Sequence, residues 1–125
     1  MIRVLIAGLG NMGLSHALAH HHHAGAQIVG LVNRSGEVSH PDLQDYPVFT
    51  DFQIALNEVK PDLVVVATYS DSHADYAIAA IEAGAHVFVE KPLATTVEDA
   101  KRVTAKAIEL NRKLVIGYIL RHHPS

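Results

Sequence analysis

The feature that most constrains this chain is its regular alternation of short strand-like runs with helical stretches. Ile2–Ala7, IRVLIA, is rich in strand formers and ends at glycine. Residues 12–23 have no helix breaker after Gly13 and read as a helix ending near Gly25. QIVGLV (27–32) is a second strand, and VFT (48–50) a short third one after a loop with room for one helical turn. Thr50 and Gln53 have the spacing of a capping box, which would open a short helix that Pro61 stops. DLVVVAT (62–68) is the clearest strand: a continuous apolar run is what a strand covered on both faces requires. Ser72 with Asp75 would cap a next helix, with Gly84 at its end. HVFV (86–89) is a strand, and Thr96 with Asp99 would cap a helix whose apolar face is Val97, Ala100, Val103, Ala107 and Leu110. KLVIGYI (113–119) is the last strand. Strands separated by helices predict a doubly wound α/β fold: a parallel sheet with helices on both faces. Such sheets bind ligands beyond the carboxyl ends of their strands.

Between the first strand and first helix lies GLGNMG, with Gly8, Gly10 and Gly13 in a G-x-G-x-x-G pattern. The pattern alone is common, but a strand before it and a helix after it give the context of a dinucleotide loop. The first glycine permits a tight turn, the second lets a pyrophosphate approach the backbone, and the third lets helix and strand pack closely. Asn11 and Met12 complete the loop, and the free N–H groups of the helix start would hold phosphate.

At the end of the second strand a carboxylate would serve the ribose hydroxyls of NAD. Asn33, Arg34 and Ser35 stand there instead. Arg34 can make charge-assisted bonds to a 2′-phosphate and stack on adenine, and Asn33 and Ser35 can add neutral hydrogen bonds. NADP is therefore the favoured cofactor over NAD. Two alternatives stay open: Asn33 serving an NAD ribose, and Glu37 swinging in as the missing carboxylate.

Composition excludes several classes. The 125 residues are 49% hydrophobic and 18% charged, which suits one globular domain with a real core. A net charge of −3 with no basic, aromatic-interleaved stripe argues against nucleic acid as a partner. No apolar run is long enough to span a membrane, so no membrane partner is expected. Asn11, Ser15 and His16 interrupt the apolar stretch a signal peptide would need. The absence of cysteine removes disulfides and thiolate metal sites, and a cytoplasmic location is the expectation. His16, His20 and His23 share a helical face, and His20–His23 are consecutive. No acidic residue accompanies them, so they read as a solvated helix end and no metal site is expected.

HVFVEKPLA (86–94) places Glu90, Lys91 and Pro92 directly after a strand. A surface turn explains them if they are taken alone. Together with the glycine loop, AIAAIEAGAHVFVEKPLA and VIGYILRHHP, they resemble the oxidoreductase family named for glucose–fructose oxidoreductase, inositol dehydrogenase and a rhizopine catabolism protein (Gfo/Idh/MocA). The resemblance covers essentially the whole chain, and the E-K-P triplet with A-G-x-H-V before it is its most specific element.

The resemblance implies a Rossmann-type cofactor domain over residues 1–120, with 121–125 opening a crossover to a C-terminal α/β domain that this sequence lacks. It implies hydride transfer between a nicotinamide cofactor and a hydroxyl or carbonyl of a sugar, polyol or related molecule. Lys91 matches the family lysine that assists proton transfer. A lysine beside a cationic ring and partly out of water gives up its proton more readily, which suits that task. Glu90 matches a glutamate beside the cofactor, and Pro92 fixes the turn. Thr68 and His73 match the segment that lines the cofactor after the fourth strand. Tyr69 stands there where the family usually has proline, so the loop's path departs from the pattern. His16 matches a packing or capping histidine, and Arg121 lies in the crossover. The family pattern also implies a homo-oligomer built through the C-terminal domain. The chain is expected to be part of a longer enzyme and inactive by itself. A non-catalytic nucleotide-binding module is the alternative, and a methyltransferase fits less well because it gives EKP no role.

Overall fold

The computed structural model describes residues 2–8, 25–33, 36, 41–67, 73–90 and 96–117. These form strands β1 (Ile2–Ala7), β2 (Ala26–Val32), β3 (Val48–Phe49), β4 (Leu63–Val66), β5 (His86–Glu90) and β6 (Leu114–Gly117). The helices are α1 (Phe52–Val59), α2 (His73–Glu82) and α3 (Val97–Glu109), with a single 3-10 turn at Pro41–Leu43 in the loop that has room for one. The helix expected over 12–23 and the Ser72–Asp75 cap lie outside the described residues.

One sheet holds all six strands in the order β3-β2-β1-β4-β5-β6. Every pairing is parallel. Parallel pairing is what the alternation predicts, and the order is that of a doubly wound Rossmann sheet. The period-2 geometry of a strand sends neighbouring side chains to opposite faces, and both faces of the central strands β1 and β4 are buried, whereas Val115 and Ile116 of the edge strand β6 are about half exposed. Leu5, Ala7, Val64, Val66, Val87 and Val89 pack on one face with Ala55 and Leu56 of α1, Ala77 and Ile81 of α2, and Val103 and Ala107 of α3. Val4, Ile6, Ile28, Leu31 and Val65 form the core of the other face with Leu43. Burying an aliphatic side chain of this kind contributes about 1.5–3 kcal/mol.

Each helix is delimited by local chemistry. In α1 the cap falls one residue later than the sequence pattern predicts. Asp51, not Thr50, accepts the Ile54 N–H at 2.9 Å, and Gln53 donates to Asn57 instead of reaching back. Starting there puts Phe52, Ala55, Leu56 and Val59 at the core-facing i, i+3, i+4, i+7 positions. Thr96 does cap α3, accepting the Asp99 N–H at 3.1 Å, while the Asp99 carboxylate pairs with Arg102 rather than closing the box. Gly84 ends α2 at φ +93. Its N–H reaches Ile81 O, and Ala85 N–H reaches Ala80 O, which together make a Schellman motif. Asn111 repeats that motif after α3 at φ +55, with Arg112 N–H bound to Ala107 O.

The apolar face expected on α3 is buried only at its centre. Val103 and Ala107 are covered, whereas Val97 is 72% and Leu110 40% exposed. The element that packs closely on this helix is α2, and the side chains α3 brings into the core are those at the middle of the face. Among the described residues, no helix is long and apolar enough to cross a membrane.

Candidate cofactor site

The parallel ladder aligns Ala7 with Val32 on one side and with Val66 on the other. Val66 in turn aligns with Val89. The next residue of each strand therefore falls in one row at the sheet's carboxyl edge: Asn33, Gly8, Ala67 and Glu90. Backbone bonds extend the ladder into that row. Gly8 N–H donates to Val32 O at 2.9 Å, Ala67 N–H to Ala7 O at 2.8 Å, and Asn33 N–H to Phe49 O at 2.9 Å. With strands spaced about 4.8 Å apart, Asn33 and Glu90 stand roughly 14 Å apart along the row. That is a length over which an extended dinucleotide can lie.

β1 connects toward β2 and β4 toward β5, so the chain leaves the centre of the sheet in opposite directions. The crevice at that switch point is where doubly wound sheets take ligands. Gly8 opens it. Its φ of +96 lies in the region that side chains rarely enter, so the chain turns sharply out of β1. The residues here fit a dinucleotide: a strand ending in a left-handed glycine at the switch point is what close backbone approach to phosphate needs.

Two further features rim the edge. His73 is the first residue of α2 and 2% exposed. No buried side-chain nitrogen or oxygen among the described residues lacks a partner, so its ring is satisfied. Phe52 in the first turn of α1 stacks on Tyr76 in the first turns of α2, with ring centroids 4.4 Å apart and planes 7° apart. Such a stack contributes about 0.5–1.5 kcal/mol beyond area burial and ties the two helix starts together. Sequence reasoning missed this pair. Its signal was an aromatic residue in the first turn of each of two successive helices.

Of the residues expected at the cofactor, Gly8, Asn33 and Glu90 stand in the row, and His73 opens the helix above it. Gly10, Asn11, Met12, Gly13, Arg34, Ser35, Thr68, Tyr69 and Lys91 lie outside the described residues. Among the described residues, no cluster of histidine and carboxylate side chains could hold a metal.

Comparison with known proteins places this edge in a family. The family described as "Oxidoreductase family, NAD-binding Rossmann fold" matches residues 2–118. The 4-carboxy-2-hydroxymuconate-6-semialdehyde dehydrogenase of a Sphingobium species is 33% identical, over 99% of this chain and 40% of its own length. An inositol 2-dehydrogenase of Paracoccus denitrificans is 31% identical, over 98% of this chain and 38% of its own. The chain thus spans about two fifths of the length of these relatives. Among solved structures, an NAD-binding protein from Listeria innocua superposes with a TM-score of 0.77 at 27% identity, over 92% of this chain and 34% of its own. The scyllo-inositol dehydrogenase of Lactobacillus casei, solved with NAD(H) and scyllo-inositol, shares the fold with a TM-score of 0.82 at 24% identity, over 94% of this chain and 36% of its own. With the switch-point glycine, the strand order and a match along nearly its whole length, the chain belongs to the Gfo/Idh/MocA oxidoreductases, as their NAD-binding Rossmann domain.

Proposed function

We propose that this chain is the cofactor-binding part of a dehydrogenase that acts on a small hydroxyl-bearing molecule of the polyol or sugar class, with NADP preferred over NAD. The observation that carries the reading is the row Asn33, Gly8, Ala67 and Glu90 across the switch point of a parallel sheet. The polyol class rests on inositol dehydrogenases recurring among the relatives. The cofactor, when bound, supplies hydride acceptance or donation.

The chain's own residues have separate tasks. Gly8 and the loop after it, through Gly10, Asn11, Met12 and Gly13, would seat the pyrophosphate on backbone N–H groups. Asn33, Arg34 and Ser35 would hold the adenosine ribose, with the Arg34 guanidinium on the 2′-phosphate. Thr68, Tyr69 and Glu90 would line the nicotinamide half, and His73 would fix the start of α2 over it. Lys91 follows Glu90 in the chain, and its amine would take the substrate hydroxyl proton during oxidation and return it during reduction. Substrate contacts and oligomer interfaces would come from the remainder of a longer enzyme.

Calorimetric titration with NADPH and with NADH tests the cofactor reading. A charge-assisted contact from Arg34 is worth about 1.5–3 kcal/mol, so NADPH should bind roughly 10- to 100-fold tighter. Arg34→Ala should erase that margin and leave NADH binding in place. Equal affinities in the unaltered protein would sink the NADP assignment while leaving the fold intact.

A further inference from the structure

The two faces of the sheet are not covered alike near β6. Right-handed crossovers that step the same way across a parallel sheet lay their helices on the same face. The helices α1, α2 and α3 lead from β3 to β4, from β4 to β5 and from β5 to β6, all in one direction. All three pack into the core that holds Leu5, Val64 and Val87. Among the described residues, none of these helices reaches the core of the opposite face. On that opposite face the ladder aligns Val65 with Phe88, and Phe88 with Val115. Burial falls along this row: Val65 is 1% exposed, Phe88 is partly buried and Val115 is 52% exposed. Ile116, aligned with Val89 on the helix-covered face, is 47% exposed as well. β6 ends the sheet, so the outer N–H and C=O groups of Leu114–Gly117 have no neighbouring strand among the described residues. A bare strand edge with apolar side chains is a template for further packing, and proteins commonly blunt such edges with charge or proline. Leu114–Gly117 contains neither.

We infer that this rim, the Phe88–Val115 face with the outer edge of β6, seats an apolar segment of the same polypeptide beyond residue 125. The inference rests on the reading of the chain as part of a longer enzyme. The chain spans 40% and 38% of the length of two relatives, and the matched family domain is the N-terminal one, so the remainder follows β6. The family match ends at residue 118, one residue after that strand. Polypeptide that continues from there starts beside the rim. A segment tethered so closely has an effective concentration of about millimolar, well above what a second copy of the chain reaches in dilute solution.

The test uses the complete natural polypeptide with a diazirine-bearing analogue of leucine in place of Val115. Irradiation followed by peptide mass spectrometry should join position 115 to residues beyond 125 within one chain. A cross-link between two chains would assign the rim to a second copy and overturn the inference. Cross-links confined to residues 1–125, or reaction with water alone, would overturn it too. Val115→Cys gives a second reading, because residues 1–125 contain no cysteine. Maleimide labelling at position 115, followed on its own peptide, should be at least about 50-fold slower in the native enzyme than in denaturant, since the reagent must wait for the covering segment to lift. A native rate within about three-fold of the denatured one would mean an open surface and sink the inference. A natural polypeptide with the mass of only these 125 residues would instead remove the longer-enzyme reading, and the inference with it.

Discussion

The two edges of the sheet are built differently. At the amino edge, side chains tie strand to strand. Arg3 N–H donates to Asp62 Oδ2 at 3.0 Å, Asp62 N–H returns to Arg3 O, and the Arg3 guanidinium reaches Val59 O. His86 N–H donates to Asp62 O, Lys113 N–H donates to His86 Nδ1 at 2.8 Å, and Arg112 reaches Gly84 O. At the carboxyl edge the ladder is carried onward by backbone, through Gly8, Asn33 and Ala67. Among the described residues, the opposite edge adds the side chains of Arg3, Asp62, His86 and Arg112 to the backbone bonds that hold its strands in register.

That contrast can be broken at its strongest point first. Lys91→Ala should cut turnover of the complete enzyme about 10²- to 10⁴-fold, with the melting temperature and cofactor affinity nearly unchanged. Steady-state kinetics beside a cofactor titration checks this, and retained turnover would remove Lys91 from the chemistry. Asp62→Ala probes the other edge. It deletes an acceptor for a backbone N–H and should destabilise by about 1 kcal/mol without altering cofactor affinity more than about two-fold. Denaturant unfolding and the same titration read both quantities, and a loss of affinity matching the loss of stability would mean the two edges are not separable. The smallest effect is expected away from both. Arg102 pairs with Asp99 at 2.6 Å and lies 3.9 Å from Asp75 on an exposed helix surface. Arg102→Ala should cost about 0.5 kcal/mol at most and fade with added salt. A larger, salt-independent loss would show that the α2–α3 contact depends on this arginine.

Much of this architecture was legible because its signals are local. VVVA reads as a buried strand because two covered faces demand an unbroken apolar run, and β4 is buried throughout Val64–Val66. Gly84 reads as a helix end because a positive φ favours glycine. The α1 cap was misread by one residue. Thr50 and Asp51 are both good caps, and the choice between them falls to the helix face that must meet the sheet. The apolar face of α3 is buried over a shorter stretch than its periodicity suggests, because periodicity reports which residues share a side, not how far a neighbouring element covers them. The Phe52–Tyr76 stack joins residues 24 positions apart, and an aromatic residue early in each of two successive helices does not by itself say that the two touch.

By itself the sequence determined the kinds of element, their order, and a glycine where β1 must turn sharply. Backbone sterics and side-chain period act over a few residues and leave their mark in composition. Only the tertiary structure decided the strand order, and with it the switch point that gathers Asn33, Gly8, Ala67 and Glu90 into one row. Parallel pairing joins distant segments through backbone groups common to every residue type. The identity of the side chains therefore does not spell out which strands become neighbours.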